Sequence, residues 1–224
     1  MKLFKTSLQG NPNVGLYGYC TDQYCLLAPE FTAEHVATIQ TVLQVPVYQI
    51  KIGHSSLIGA LVTGNSGILL VPSIADDQEL LRLKQLGIQY KVIPSKLTAL
   101  GNNILCNDAG ALVNREYSAD TKKIIRQALH VTLHPGEIAT TEVPGSCVVH
   151  NKNAAIIHAF ATQEQIREVE DLLGLKCTKA TLNFGSPYVR SGLFANSHGM
   201  VIGDASTGIE IENIYEALGF MEQE

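Results

Sequence analysis

The chain of 224 residues is 46% hydrophobic and 17% charged, too apolar for a disordered segment and long enough for one large domain or two small ones. Its net charge of −5 argues against gripping nucleic acid mainly by neutralising phosphates, but leaves a basic protein surface open as a partner. No apolar run reaches bilayer-spanning length and no secretion signal opens the chain, so a soluble cytoplasmic protein without a membrane partner is expected.

Lys2 to Thr6 reads as a short strand, followed by a Gly/Asn/Pro loop. From Gly15 to Leu27, two apolar runs split by Thr21-Asp22-Gln23 predict a β-hairpin. Thr32 suits a helix N-cap, with Val36, Ile39 and Leu43 on one face, and Val47 to Lys51 reads as a third strand. Leu57 to Pro72 repeats the hairpin around Gly64-Asn65-Ser66-Gly67. An acidic first turn at Asp76 and Asp77, a stripe of Leu80, Leu83 and Leu86, a stop at Gly87 and a strand from Gln89 to Ile93 follow.

The order then recurs. Leu100 to Val113 is a hairpin, Ser118 caps a helix carrying Ile124, Ile125, Ala128 and Leu129, and Val131 to His134 is its strand. Gly145 to Ile157 is the next hairpin. Thr162 and Gln165 form a capping box before Ile166, Val169, Leu172 and Leu173, and Lys176 to Ala180 is the strand. Gly192 to Ile202 is the last hairpin, with Thr207 and Glu210 capping a helix through Ile211, Ile214, Tyr215 and Leu218. Turn markers at Asp22, Asn65, Asp108, Lys152 and Ser197 stand 43, 43, 44 and 45 residues apart, which is the mark of a repeat architecture.

The fifth unit lacks a third strand and the chain begins with a strand that has no unit. The N-terminal strand is therefore expected to complete the fifth unit, closing a ring and removing two unpaired sheet edges. Each helix has one apolar stripe, so the helices belong outside and the strands towards the axis. The expectation is an α/β fold of five strand-strand-helix-strand units forming one domain over residues 1–224, with no linker. Cys20, Cys25, Cys106, Cys147 and Cys177 are an odd set without a C-x-x-C, all within expected strands, and read as reduced buried thiols. His150, His158 and His198 are placed beside hairpin turns facing solvent, and His130 and His134, though four apart, lack a metal-ligand set around them.

A ring of this kind resembles the pentein fold, a five-fold pseudosymmetric α/β propeller. The stretches Gly53-His54-Ser55-Ser56-Leu57-Ile58-Gly59, Gly67 to Pro72, Thr98-Ala99-Leu100-Gly101-Asn102, Cys106-Asn107-Asp108, Val143-Pro144-Gly145-Ser146 and Glu216 to Gly219 resemble the translation initiation factor 6 family of archaea and eukaryotes. They lie across the whole chain, and Ala99 to Asn102 followed by Asn107-Asp108 is their most specific part.

The resemblance implies a monomeric factor, without cofactor, metal or catalysis, that binds the large ribosomal subunit and prevents its association with the small one. It also implies a link to large-subunit maturation. The main contact implied is a ribosomal protein near the sarcin-ricin loop, with limited ribosomal RNA contact. The implied contact segments lie at the pole where the first hairpin strands begin: Gly59 and Ala60; Leu100, Gly101 and Asn102; Gly145, Ser146 and Cys147; and Ser191 and Gly192. Ala60 stands where many eukaryotic relatives carry a basic residue, and the phosphorylatable eukaryotic tail is not expected after Phe220; both fit the archaeal type.

The fold also carries guanidine-modifying hydrolases and transferases, which need a thiolate, an imidazole and carboxylates, with the cysteine near the C-terminal end. Here the last cysteine is Cys177, in the fourth unit, which speaks against that alternative. Asn102 read alone would be a loop residue satisfying backbone groups; the resemblance makes it a contact. A glycine at the same point of successive units, Gly59, Gly101, Gly145 and Gly192, points to a tight bend or close packing at the ring's pole.

Overall fold

The computed structural model describes residues 2–221; the expectation about the chain's ending lies outside them. These residues form five three-stranded sheets, each with a middle strand paired antiparallel on one side and parallel on the other. In the first unit β2 (Gly18–Cys20) turns into β3 (Cys25–Leu27), the helix Ala33–Leu43 crosses over, and β4 (Val47–Gln49) returns parallel to β3. The second unit repeats this with β5 (Thr63–Gly64), β6 (Leu69–Pro72), the helix Asp77–Gln85 and β7 (Tyr90–Ile93). The third has β8 (Ile104–Cys106), β9 (Gly110–Val113), the helix Ala119–Leu129 and β10 (Thr132–Pro135). The fourth has β11 (Val148–His150), β12 (Ala154–His158), the helix Gln163–Leu173 and β13 (Lys176–Ala180). The fifth has β14 (Leu193–Ala195), β15 (Met200–Gly203) and the helix Gly208–Ala217, and its outer strand is β1 (Leu3–Thr6), parallel to β15 in the register Leu3 to Met200. The N-terminal strand thus completes the fifth sheet and the ring is closed.

Packing joins each unit to the one before it. The core beneath the first helix contains Ile39, Val42 and Leu43 together with Phe194 and Val201 of the fifth unit. Beneath the second, Leu83 and Ile88 meet Tyr19 and Leu26 of the first. Burying each helix stripe therefore requires the neighbouring sheet, so a single unit cannot hide its apolar face alone.

The expected hairpin arms differ from the observed ones at their start. Ile58–Leu61, Leu100–Asn103 and Val189–Gly192 are single helical turns, and Val14–Leu16 and Pro144–Cys147 are 3₁₀ turns, where sequence alone suggests extended strand. Cys147 accordingly lies in a helical turn rather than a strand. A short run of wholly buried apolar residues has no periodicity to separate strand from helix.

The helix caps are as the sequence indicates: Thr32, Ser118, Thr162 and Thr207 each accept from the backbone three residues on. In the last helix the N3 partner does more. Glu210 accepts from Thr207 N at 2.8 Å, Gly185 N at 2.8 Å and the Thr181 hydroxyl at 3.1 Å, clasping the preceding loop. Burial pushes its pKa up, but these hydrogen bonds outweigh that and hold the carboxyl below the ordinary glutamate range. Its stabilisation is therefore complete above the unfolded pKa of about 4.3 and lost as pH falls through the lower folded value. Replacing Glu210 with glutamine should shrink the fall in melting temperature between neutral pH and about pH 3; thermal melts across that range check it, and an unchanged acid limb would contradict the clasp.

Candidate functional site

The five helical turns gather at the pole where the first strand of each unit begins, and around the axis they pack directly on one another. A Cβ on Gly59 would overlap the carbonyl oxygens of Gly15 and Gly18 in the first unit. One on Gly101 would overlap Gly59 and Val62, and one on Gly145 would overlap Gly101 and Ile104. Gly15 in turn lies on the carbonyls of Arg190 and Leu193. Backbone rests on backbone through four of the five units, which only glycine permits. In the fifth the equivalent residue is Arg190; Gly192, expected to be the fifth glycine, faces Asn183 and Leu182 instead.

This packing sets which of the expected contact residues a partner can reach. Gly59, Ala60, Leu100, Gly101, Gly145, Cys147 and Gly192 are all buried. Asn102, Ser146 and Ser191 are partly exposed. The Ser146 hydroxyl donates to Val143 O at 2.8 Å, and that of Ser191 to Tyr188 O at 2.8 Å. Asn102 differs: among the described residues its side chain makes no hydrogen bond. Its neighbour Asn103 is buried, donating to Ala99 O at 2.8 Å and accepting from Asn114 Nδ2 at 2.7 Å. Of two adjacent asparagines, one is structural and the other is offered to the surroundings.

The same pole carries large exposed apolar side chains that the sequence reading misses. Leu57, Ile74, Phe160, Phe184, Tyr188 and Ile209 stand between 40% and 84% exposed, in the loops and first helical turn that border this end of the sheets. No periodic pattern marks them, because they sit in loops. His158 ends β12 at this pole. It is buried rather than facing solvent, its ring 5.7 Å from Phe160 and 5.0 Å from Tyr188, and burial lowers its pKa. His54, Asp76 and Glu79 converge here too, but both Glu79 oxygens are taken by the backbone N–H groups of Gly53, His54 and Asp76, so the cluster is a helix cap rather than a metal centre.

At the opposite pole the hairpin turns surround an axial cavity of about 590 Å³, with Tyr19, Cys20, Cys106, His150 and Arg190 among its lining residues. Burial raises the thiols of Cys106 and Cys147 to about 11 and that of Cys177 to about 12. These are the opposite of an activated thiolate. All five cysteines are free, and Cys20 and Cys25 face each other across the first hairpin as a reduced pair.

Five sheets closed around an axis with helices outside make the chain a pentein. The N-terminal domain of ArgZ bound to product, an arginine dihydrolase of cyanobacteria, superposes with a TM-score of 0.51 over 84% of this chain and 71% of that one, at 12% identity, a likeness of fold alone. The model of the eIF-6 family matches residues 3–217. Translation initiation factor 6 of Sulfolobus acidocaldarius is 34% identical over 220 residues, covering 97% of this chain and 99% of the relative. That of Pyrococcus abyssi is 36% identical over 227 residues, covering 99% and 100%. The chain belongs to the eIF-6 family.

Proposed function

We propose that the protein binds the large ribosomal subunit on the face that meets the small subunit and keeps the two from joining, with a role in large-subunit maturation. The principal contact is a basic ribosomal protein near the sarcin-ricin loop, with limited ribosomal RNA contact. The protein acts in the cytoplasm as a monomer without cofactor or catalysis. The observation that carries this reading is the pole of Asn102: an amide without a hydrogen-bond partner among the described residues, on the same end of a closed ring as exposed Leu57, Ile74, Phe160 and Tyr188. Apolar and aromatic patches of this kind suit a protein partner. The net charge of −5 favours a basic one, chiefly by speeding encounter. Blocking requires only a stiff body and an interface on the order of 1,600 Å² in total. Thiols held protonated by burial weigh against the guanidine-modifying alternative.

Gly59, Ala60, Leu100, Gly101, Gly145, Cys147 and Gly192 shape this surface from beneath, and Asn102, Ser146 and Ser191 meet the partner. Replacing Asn102 with arginine should weaken co-sedimentation with large subunits at least about tenfold, near 1.4 kcal/mol, with the melting temperature within a degree or two of the parent. Undiminished co-sedimentation would remove this pole as the contact.

A further inference from the structure

Among the five helical turns of the docking pole, one residue departs from the five-fold pattern and sends a charged side chain along the axis. Arg190 occupies the position that is glycine in units one to four, and its side chain runs into the axial cavity. The Nη2 group donates to Val62 O at 3.3 Å, and the guanidinium carbon lies 5.9 Å from the centre of the Tyr19 ring. Guanidinium has five N–H donors. Among the described residues Val62 O is the one acceptor that Arg190 meets, no carboxylate lies within 4 Å, and no buried side-chain nitrogen lacks a partner, so its other donors open into the cavity.

The groups around it do not neutralise the charge. Tyr19 and Cys20 keep their protons because burial raises their pKa values, as it raises Cys106 to about 11. Burial lowers the pKa of His150 and the Arg190 charge lowers it too, outweighing the hydrogen bond of its Nε2, 2.9 Å from Cys106 O, so this ring adds no counter-charge. A cation withdrawn from bulk water without a counter-charge is costly, and an anion seated on it relieves that cost. The walls nearby are apolar, from Val149, Leu193, Phe194 and Ala195. At the mouth stand Asp22, paired with Lys152 at 2.8 Å, and Asp108, which accepts from Ser66 N at 2.9 Å. With Asp22 balanced by Lys152, Asp108 is the net charge at the mouth and disfavours polyanions such as nucleotides, whereas one anionic group with an apolar body finds both a bidentate donor and matching walls. The volume lies within the range of small-molecule sites.

We propose that the axial cavity is a receptor for a small organic anion with a single charged group, a carboxylate or phosphate monoester with an aromatic or aliphatic body, whose charged group sits on the Arg190 guanidinium. The cavity opens at the pole opposite the proposed ribosome contact and Arg190 reaches it from the turn beneath that contact, next to Ser191; anion binding by the free protein does not depend on the ribosome reading.

The test uses the full chain with benzoate and phenyl phosphate as probes, benzyl alcohol as the neutral control and inorganic phosphate as the charge without a body. Saturation-transfer and shift-perturbation NMR should give a Kd for benzoate or phenyl phosphate on the order of 1 mM or tighter, with both controls at least about tenfold weaker. Arg190→Gln should weaken the anion at least about tenfold, leaving the control unchanged. Ala109 is exposed at the mouth, so Ala109→Trp should obstruct entry with Arg190 intact, and it carries the test should Arg190→Gln not fold. No binding of either anion at about 10 mM, equal binding by a folded Arg190→Gln variant, or unchanged affinity in Ala109→Trp would each overturn the proposal.

Discussion

Replacing Gly101 with alanine should cost more than about 4 kcal/mol or prevent the chain from reaching its native state. One methyl group does this because the space it needs is filled by backbone. Its carbon would overlap the Gly59 carbonyl oxygen and lie 2.8 Å from Val62 O and 3.0 Å from the Ala60 carbonyl carbon. Overpacking against side chains costs about 1–3 kcal/mol because rotamers can adjust. Here the neighbour is the turn of the second unit, itself seated on the first, so relief means opening the stack. Gly208 is the control. A Cβ there meets nothing within 4 Å, and alanine should be neutral or stabilising by up to about 1 kcal/mol. Urea unfolding of both variants decides the matter; a Gly101→Ala protein within about 1 kcal/mol of the parent would refute the axial glycine packing.

The second large effect is expected at the seam between the fifth unit and the first. Asn196 is 2% exposed; its Nδ2 donates to Leu43 O, the last residue of the first helix, at 2.8 Å and to Thr21 O at 3.1 Å. Its Oδ1 accepts from His198 N at 3.0 Å and Gly199 N at 3.1 Å, holding the hairpin turn. The same latch recurs where Asn65 reaches Leu129 O, Asn107 reaches Leu173 O and Asn151 reaches Leu218 O, each tying a turn to the C-terminal carbonyls of the next unit's helix. Alanine at 196 strands buried donors and acceptors at both ends of the latch, for about 2–4 kcal/mol. Aspartate keeps the acceptor and loses the donor, so it should not rescue. Hydrogen exchange should quicken first across β1 and β15 in the alanine variant; protection equal to the parent's there would contradict the seam.

The period, the caps and the ring closure were legible because each rests on local chemistry repeated five times: a capping Thr or Ser, an apolar stripe, a stop, and a spare strand at the start. What was not legible is set at the axis, where residues from different units meet. The turn markers Asp108, Lys152 and Ser197 fall one residue beyond the latching asparagines, and Asp22 one beyond Thr21, whose hydroxyl accepts from Gln23 N and Tyr24 N. Asn65, Asn107, Asn151 and Asn196 at that spacing were the available signal. Glycine spacing points to Gly192 as the fifth axial glycine, whereas the equivalent position, two residues earlier, is Arg190. A break in a repeat is hidden when the aligned residue type decides the alignment. The helical turn at the start of each hairpin arm is hidden for a related reason: a run buried on all sides leaves no hydrophobic period. The four expected contact segments share one pole, but which of their side chains are exposed is not legible in the sequence, since burial there depends on the neighbouring unit.

Subunit joining in a sucrose gradient shows whether the protein keeps the two ribosomal subunits apart. Large and small subunits of an archaeal-type ribosome are mixed with the purified protein at increasing concentration, with the Asn102→Arg variant in parallel. The account predicts that the joined ribosome peak falls and free subunits rise until the large subunit is saturated, with the protein sedimenting beside the large subunit, and that the variant needs at least about tenfold more protein for the same shift. An unchanged joined peak at saturating protein, or co-sedimentation with the small subunit alone, would contradict it.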